Sequence, residues 1–532
     1  MRGSTADTAS TALQLDAPSQ RIGGPVRITV QSTINLPGAQ STSTFSGGPG
    51  SWVRLTFQSA ATNFEVEADP NDESCFNTTD GRFCLSAHVK GQVLTVVTGQ
   101  IRIYDLNGKC QWCADVQGSA TVNFRRAVKP AELCCTLNTS GFTLNEAPVM
   151  EDAGLKFTPL APCRAVDTRN ASGPLGGPSL PTKASRDFSL LNVCGIPPTA
   201  GAVAVNITAV PKGPLGYLTA WRKGIPQPTV STLNSLDGRV KANFAILSVD
   251  ATQSISLYAT DSTDVAVDVT GYFALAQPTG VLTPLQGFST IAPCRIVDTR
   301  LANSALAGPA LVAKATRSLP VMSANCNIPS NATAYSLNIT VIPKTTLGFL
   351  TLWSSGKAQP LASTLNATTG TVVANAAILE AGTGGMIDAY ATDESHLVID
   401  MNGYFSPTAT AVYFPSSGCR IAYTGLPNGP FGGPKMTALE TRAFTPEAGS
   451  CSIAPSPLAY AMNTTVVPDG PFGFLTVWPA GTTRPIVSTL NAVDGAITSN
   501  AAIVATGTPT GRFNVFTSES THLILDLLGY FK

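Results

Sequence analysis

The residues able to do chemistry sit in short phrases that return three times. Cys163-Arg164-Ala165-Val166-Asp167-Thr168-Arg169 opens a stretch that closes on Asp268-Val269-Thr270-Gly271-Tyr272-Phe273. A second copy runs from Cys294 to Phe405, and a third from Cys419 to Phe531. Asp167 beside Arg169, and Asp298 beside Arg300, offer a carboxylate with a guanidinium clamp. Such a pair could bind or hydrolyse sugar, or it could be an internal ion pair that pins a loop, which is the reading expected here. Glycoside hydrolysis needs a second carboxylate at about 5–10 Å. Asp268, Asp400 and Asp526 recur, but in apolar closing strands, where satisfying backbone donors explains them. In the third copy Cys419-Arg420-Ile421 continues Ala422-Tyr423-Thr424 instead of Asp-Thr-Arg, which argues against one shared catalytic site.

The remaining candidates point the same way. The chain has three histidines. His396 and His522 occupy one position in successive copies where the first copy has Asp264, as a surface residue would. No Ser-His-Asp or Cys-His nucleophile system can be assembled from them, so no catalytic residue and no cofactor are expected. Trp221, Trp353 and Trp478 follow a Leu-Thr-x step in each copy. Exposed, they would stack on sugar rings; their apolar flanks favour the core. Asn206, Asn338 and Asn463 recur in Asn-x-Thr sequons, and one buried asparagine bonding a neighbouring strand would produce that recurrence without any glycan.

Twelve cysteines divide into two sets. Cys163 and Cys194 lie 31 residues apart, and Cys294 with Cys326 and Cys419 with Cys451 lie 32 apart. The thrice-repeated spacing predicts one disulfide per repeat, each closing a loop of about 30 residues and contributing roughly 3–4 kcal/mol on the chain-entropy argument. Disulfides place the protein in an oxidising compartment, secreted or at the cell surface. Cys75, Cys84, Cys110, Cys113, Cys134 and Cys135 precede the repeats, and six cysteines permit 15 pairings among which the sequence does not choose. Cys110-Gln-Trp-Cys113 has turn and strand flanks, whereas a redox pair needs a helix start; a structural bridge is expected, and no metal site. Asp69-Pro70-Asn71-Asp72-Glu73 lacks calcium-loop spacing and reads as a solvated loop.

These phrases need elements to hold them. Repeats of roughly 115 residues are too long for a solenoid, whose units run about 20–50 residues, and long enough to bury cores of their own. Segments such as Ala202–Val210 and Asp264–Val269, separated by turns such as Leu236-Asp237-Gly238, predict about eight short strands per copy and no amphipathic helix. The fold class expected is all-β and multidomain: three tandem β-sandwich-like repeats at 157–274, 288–406 and 412–532 behind a distinct Cys-rich β-domain at 25–150. Pro/Thr-bearing linkers after Phe273 and Phe405 predict beads that are extended and semi-stiff with respect to each other. Residues 1–24 read as an arm. Within it Thr11–Ala17 alternates like a strand, with Leu13 and Leu15 on one face, either as an edge strand of its own domain or donated to a neighbouring subunit.

Composition narrows the partners. Lys+Arg and Asp+Glu both number 33, and charged residues make up 12% of the chain, about half the usual share of roughly 25%. No basic footprint for nucleic acid exists, and a surface without net charge favours association. No apolar run is long enough for a membrane-spanning helix. Met1-Arg2-Gly3-Ser4-Thr5-Ala6 lacks the apolar centre of a signal peptide, so export would put this numbering after a cleaved leader or at an artificial start.

The Cys-Arg-x-Val-Asp-Thr-Arg opening and Gly-Tyr-Phe close together resemble a repeat of bacterial secreted and surface proteins, over about 157–531. The resemblance implies an extracellular β-module. The function expected is a secreted structural protein, a subunit of an extracellular filament or surface assembly that self-associates through neutral β surfaces. The alternatives are a multivalent carbohydrate-binding adhesin, with glycans as partners, and a secreted hydrolase.

Overall fold

The computed structural model describes residues 154–532 except Ala251, 275–284 and Thr510, and ahead of them the backbone of strands between Arg2 and Leu137. Residues 1–153 and 154–532 form two compact units. In the first, one eight-stranded antiparallel sheet runs in the order Gln40–Gly47, Val26–Thr33, Cys110–Arg126, Gln92–Tyr104, Trp52–Gln58, Asn63–Ala68, Ser74–Thr78, Gly81–Leu85. Its longest central pair includes Gln92–Tyr104, whose register against Cys110–Arg126 shifts between Val96 and Thr98. Cys110 and Cys113 begin a long strand, not a helix. Cys75 and Cys84 stand opposite each other across a hairpin. Leu15–Asp16 pairs with Thr136–Leu137 of the same chain. Leu13, His88, Cys134, Cys135 and the acidic stretch 69–73 lie outside the described residues.

In the second unit the chain is all-β, with no α-helix among the described residues. Each repeat contributes two four-stranded antiparallel sheets. In the first repeat these are Lys156–Asp167, Thr263–Ala274, Ala200–Pro211, Lys241–Ser248, and Ala184–Ser189, Ser254–Ala259, Leu215–Arg222, Leu233–Ser235, each in that spatial order. The other two repeats copy this topology. The six small sheets take up a six-bladed β-propeller arrangement, which corrects the expectation of sandwich repeats strung out as beads.

The physical reason lies on the strand faces. Side chains alternate across a strand. Val203, Val205 and Ile207 enter the apolar cluster of their own repeat, together with Leu218, Leu257 and Val267. Ala202, Ala204, Asn206 and Thr208, which an isolated sandwich would show to water, are buried as well. They are small or polar because neighbouring repeats cover them.

Closure is visible in the backbone. Leu155 and Tyr413 exchange N–H···O bonds of 2.7 and 2.8 Å, and Phe157 and Gln286 exchange a pair of 2.8 Å. Phe288 N–H donates to Ala411 O at 2.9 Å. The linker at 406–410 does not space beads apart: it turns back through Ala409 N–H to Ser406 O, and Ala409 and Ala411 are buried.

The Gly-Tyr-Phe phrases meet at the centre of this closure. Phe273, Phe405 and Phe531 lie 6.1–6.3 Å apart between ring centroids. Phe157, Phe288 and Tyr413 fill the gaps, as in Phe157–Phe405 at 4.5 Å, Phe288–Phe531 at 4.4 Å and Tyr413–Phe273 at 4.8 Å. All six rings are buried. The glycine of the phrase makes room for them, since a Cβ on Gly271 or Gly403 would overlap the ring of Phe157 or Phe288. The Tyr413 hydroxyl donates to Leu528 O at 2.8 Å, and burial pushes its pKa upward.

Candidate functional site: the seams between repeats

The recurrent polar residues gather at three seams. At the first, Asn206 Nδ2 donates to Ser363 O at 2.7 Å, and Asn206 Oδ1 accepts from Asn375 Nδ2 at 2.8 Å. Asn375 Oδ1 in turn accepts from Phe244 N–H at 3.0 Å. The second seam repeats the set with Asn338, Ser488, Asn500 and Ala376 N–H. The third returns to the first repeat with Asn463, Ser231, Asn243 and Ala501 N–H. Each amide therefore bonds groups of a neighbouring repeat, and the series closes on itself. The sequon asparagines bond neighbouring strands, as their recurrence predicts, but strands of another repeat. Asn243, Asn375 and Asn500 were missed; their signal was an asparagine recurring inside an apolar strand.

The Asp and Arg residues flank these amides. Arg169 donates to both oxygens of Asp167, at 2.8 and 2.6 Å, and Arg300 does the same to Asp298, at 2.8 and 2.7 Å. This is the loop-pinning ion pair. Arg164 bonds Asp167 at 2.8 Å and also Asp268, whose Oδ2 lies 3.2 Å from Nη2. Arg295 and Arg420 make the corresponding pairs with Asp400 and Asp526, both at 2.8 Å. Arg164 Nη2 also reaches Leu361 O in the next repeat at 3.3 Å, and Asp268 accepts from Ser363 N–H there at 3.4 Å.

Electrostatics sorts the carboxylates into two kinds. The guanidinium bonds from Arg169 outweigh desolvation and hold Asp167 at about 2; Arg300 lowers Asp298 by the same means. Burial pushes Asp268, Asp400 and Asp526 above the usual carboxylate range, against the pull of the arginine facing each. In the third repeat Tyr423 stands where the first carries Asp167, and its ring lies 5.9 Å from the Arg420 guanidinium carbon. An aromatic face there replaces a carboxylate as the cation's neighbour.

The Asp-to-His exchange has an equally local meaning. Asp264 Oδ1 accepts from Thr168 Oγ at 2.9 Å, while His396 Nδ1 lies 3.2 Å from Thr299 Oγ and His522 Nδ1 3.4 Å from Thr424 Oγ. Either side chain partners the same threonine. Another missed set is Arg186, Arg317 and Arg442, which donate to Pro178 O, Pro309 O and Pro434 O at 2.7, 2.6 and 2.8 Å and clamp the loop after the Asp-Thr-Arg phrase.

Disulfides join Cys163 to Cys194, Cys294 to Cys326 and Cys419 to Cys451, with Cα separations of 5.8, 5.9 and 5.8 Å. Trp221, Trp353 and Trp478 are 7, 4 and 3% exposed. Their indole N–H groups donate to Ile225 O, Lys357 O and Thr482 O at 3.1, 2.9 and 3.1 Å. They are core residues, and no ring face is open for a sugar. Among the described residues no group of three or more His, Cys, Asp or Glu could hold a metal ion. No protein-family model matches the chain, and no curated protein matches it either.

Proposed function

We propose that the chain is a structural protein of the cell exterior, a subunit of an extracellular filament or surface assembly. The observation that carries this reading is the cyclic set of Asn, Asp and Arg bonds, by which the recurrent polar chemistry joins one repeat to the next and so serves rigidity. The three disulfides are compatible with an oxidising location. Among the described residues no helix is long and apolar enough to cross a membrane. The equal counts of acidic and basic residues leave no net repulsion between copies. Electron microscopy and sedimentation of the purified protein across concentrations and salts test the proposal. Ordered polymers are the expected result, and monomers under every condition refute it.

A further inference from the structure

Each repeat carries two aromatic side chains that the seams do not use. Tyr217 stands beside Tyr258, Phe349 beside Tyr390 and Phe474 beside Phe516, at 5.8, 6.0 and 5.6 Å between ring centroids and with ring planes 38, 36 and 37° apart. Their strand neighbours Leu218 and Leu257 belong to the apolar cluster of the first repeat, so alternation turns the two rings to the opposite face of the sheet. Leu350 with Ala389, and Leu475 with Val515, do the same in the other repeats. Cross-strand pairing stabilises a sheet and accounts for rings lying side by side. It does not account for their unequal covering.

Phe516 is 5% exposed, whereas Tyr258 and Tyr390 are partly exposed. One position makes the difference. Six residues after Trp478 comes Arg484, whose guanidinium carbon lies 3.6 Å from the centroid of the Phe516 ring. Six residues after Trp221 and Trp353 come Gln227 and Gln359, both exposed. A glutamine amide has no charge to offer an aromatic face, and among the described residues no cation lies over Tyr258 or Tyr390. The third repeat thus shows the platform occupied, and the first two show it open.

A carboxylate borders each open pair. Asp261 Oδ2 accepts from Gly216 N–H at 3.0 Å and from Thr260 Oγ at 2.7 Å, and Thr260 Oγ accepts from Tyr217 N–H at 3.0 Å. Asp393 and Thr392 hold Gly348 and Phe349 at the same distances. The glycine N–H bonds keep both carboxyls below the usual carboxylate range; Lys183 and Lys314 add to the lowering, yet neither forms an ion pair with its carboxylate. Only Oδ2 of each is engaged, so Oδ1 is left for a further donor. We propose that Tyr217–Tyr258 and Phe349–Tyr390 receive arginine side chains of a partner protein, the guanidinium stacking on the tyrosine as Arg484 stacks on Phe516, with Asp261 or Asp393 as its counter-charge. A planar cation uses an aromatic face and a carboxylate together; a neutral ring uses only the first. Two such sites on one chain favour a partner that presents two arginines.

Saturation-transfer NMR on the full-length chain with N-acetyl-L-arginine amide tests this, with methyl α-D-glucopyranoside as the neutral comparison. Saturable transfer to the arginine side-chain protons is expected, and none to the glycoside. Tyr258→Ala together with Tyr390→Ala removes both ring faces and should weaken binding about fivefold, the fold-change of one exposed cation–π contact. Gln227→Arg together with Gln359→Arg keeps the rings and sets a tethered guanidinium over each, as Arg484 does in the third repeat; it should weaken binding to a similar degree. Both glutamines are exposed, so this variant keeps the test open if the tyrosine variant does not fold. No saturable arginine binding, binding of the glycoside in its place, or affinity unchanged in either variant overturns the proposal. Polymer formation does not enter these readouts, so this inference and the assembly reading fail separately.

Discussion

Replacing Phe405 with alanine asks whether the three repeats are one body. Phe405 is 1% exposed, and its ring centroid lies 4.5 Å from Phe157 of the first repeat, 5.0 Å from Phe288 of its own, and 6.1 Å from Phe531 of the third. Truncating a buried phenylalanine costs about 3–5 kcal/mol. Close aromatic pairs add about 0.5–1.5 kcal/mol beyond burial, so the loss belongs at the top of that range. Phe444 supplies the comparison, because it is equally buried but stacks on Phe513 within the third repeat. Trp221, Trp353 and Trp478 put one reporter in each repeat, and a Trp52→Phe, Trp112→Phe background leaves only those three indoles. Guanidinium unfolding with disulfides intact should then show one transition by indole fluorescence, which reads the second unit alone. Both Phe405→Ala and Phe444→Ala should lower its midpoint without changing its slope. Three separable transitions, with Phe405→Ala lowering only one or costing less than about 1 kcal/mol, would refute the closed ring.

Other perturbations follow from the same contacts. Asn375→Ala strands Phe244 N–H and Asn206 Oδ1 in the interior and leaves Thr364 O only its bond from Asn206 Nδ2; at about 1–3 kcal/mol for each buried group left unpaired, it should cost more than about 2 kcal/mol in denaturant unfolding, against less than about 0.5 kcal/mol for exposed Asn331→Ala. Asp167 sits at about 2 in the folded chain, below an unfolded value of about 3.9, so its stabilisation is present above pH ~4 and disappears as the pH falls through ~2. Discounted for the half-exposed Arg169, that is about 1–2 kcal/mol; the stability gap between wild type and Asp167→Asn should be largest at neutral pH and close at pH ~2, and a gap that widens on acidification contradicts the ion pair. Gly403→Ala drives a methyl into the Phe288 ring and should cost about 1–3 kcal/mol by overpacking, read as a lowered melting temperature. Cys294→Ser with Cys326→Ser opens a 32-residue loop and should cost roughly 3–4 kcal/mol; mass mapping without reductant tests all three bridges directly.

Much of this site was legible locally. The nearly equal cysteine spacings announced the bridges, and Asp-Thr-Arg announced the Asp167–Arg169 pair, because both partners lie within one loop. The tryptophans read as core from their flanks alone. The third repeat's Tyr423 was visible as a departure, but its place beside Arg420 was not. Arg186 escaped notice because its partners are carbonyls, which carry no mark in the sequence.

What the sequence determined by itself was therefore the alphabet of the fold: strands of period two, three copies, sulfur bridges across short loops, and a low-charge chain. What only the tertiary structure decided was whom each copy touches. Asn206 and Ser363 are 157 residues apart, and periodicity reports that a face is buried without saying against what. Alanine, asparagine and threonine on the second face of Ala200–Pro211 are as compatible with a solvated sandwich as with a covered blade. The choice belongs to long-range complementarity, in which each amide is satisfied only when the neighbouring repeat is present.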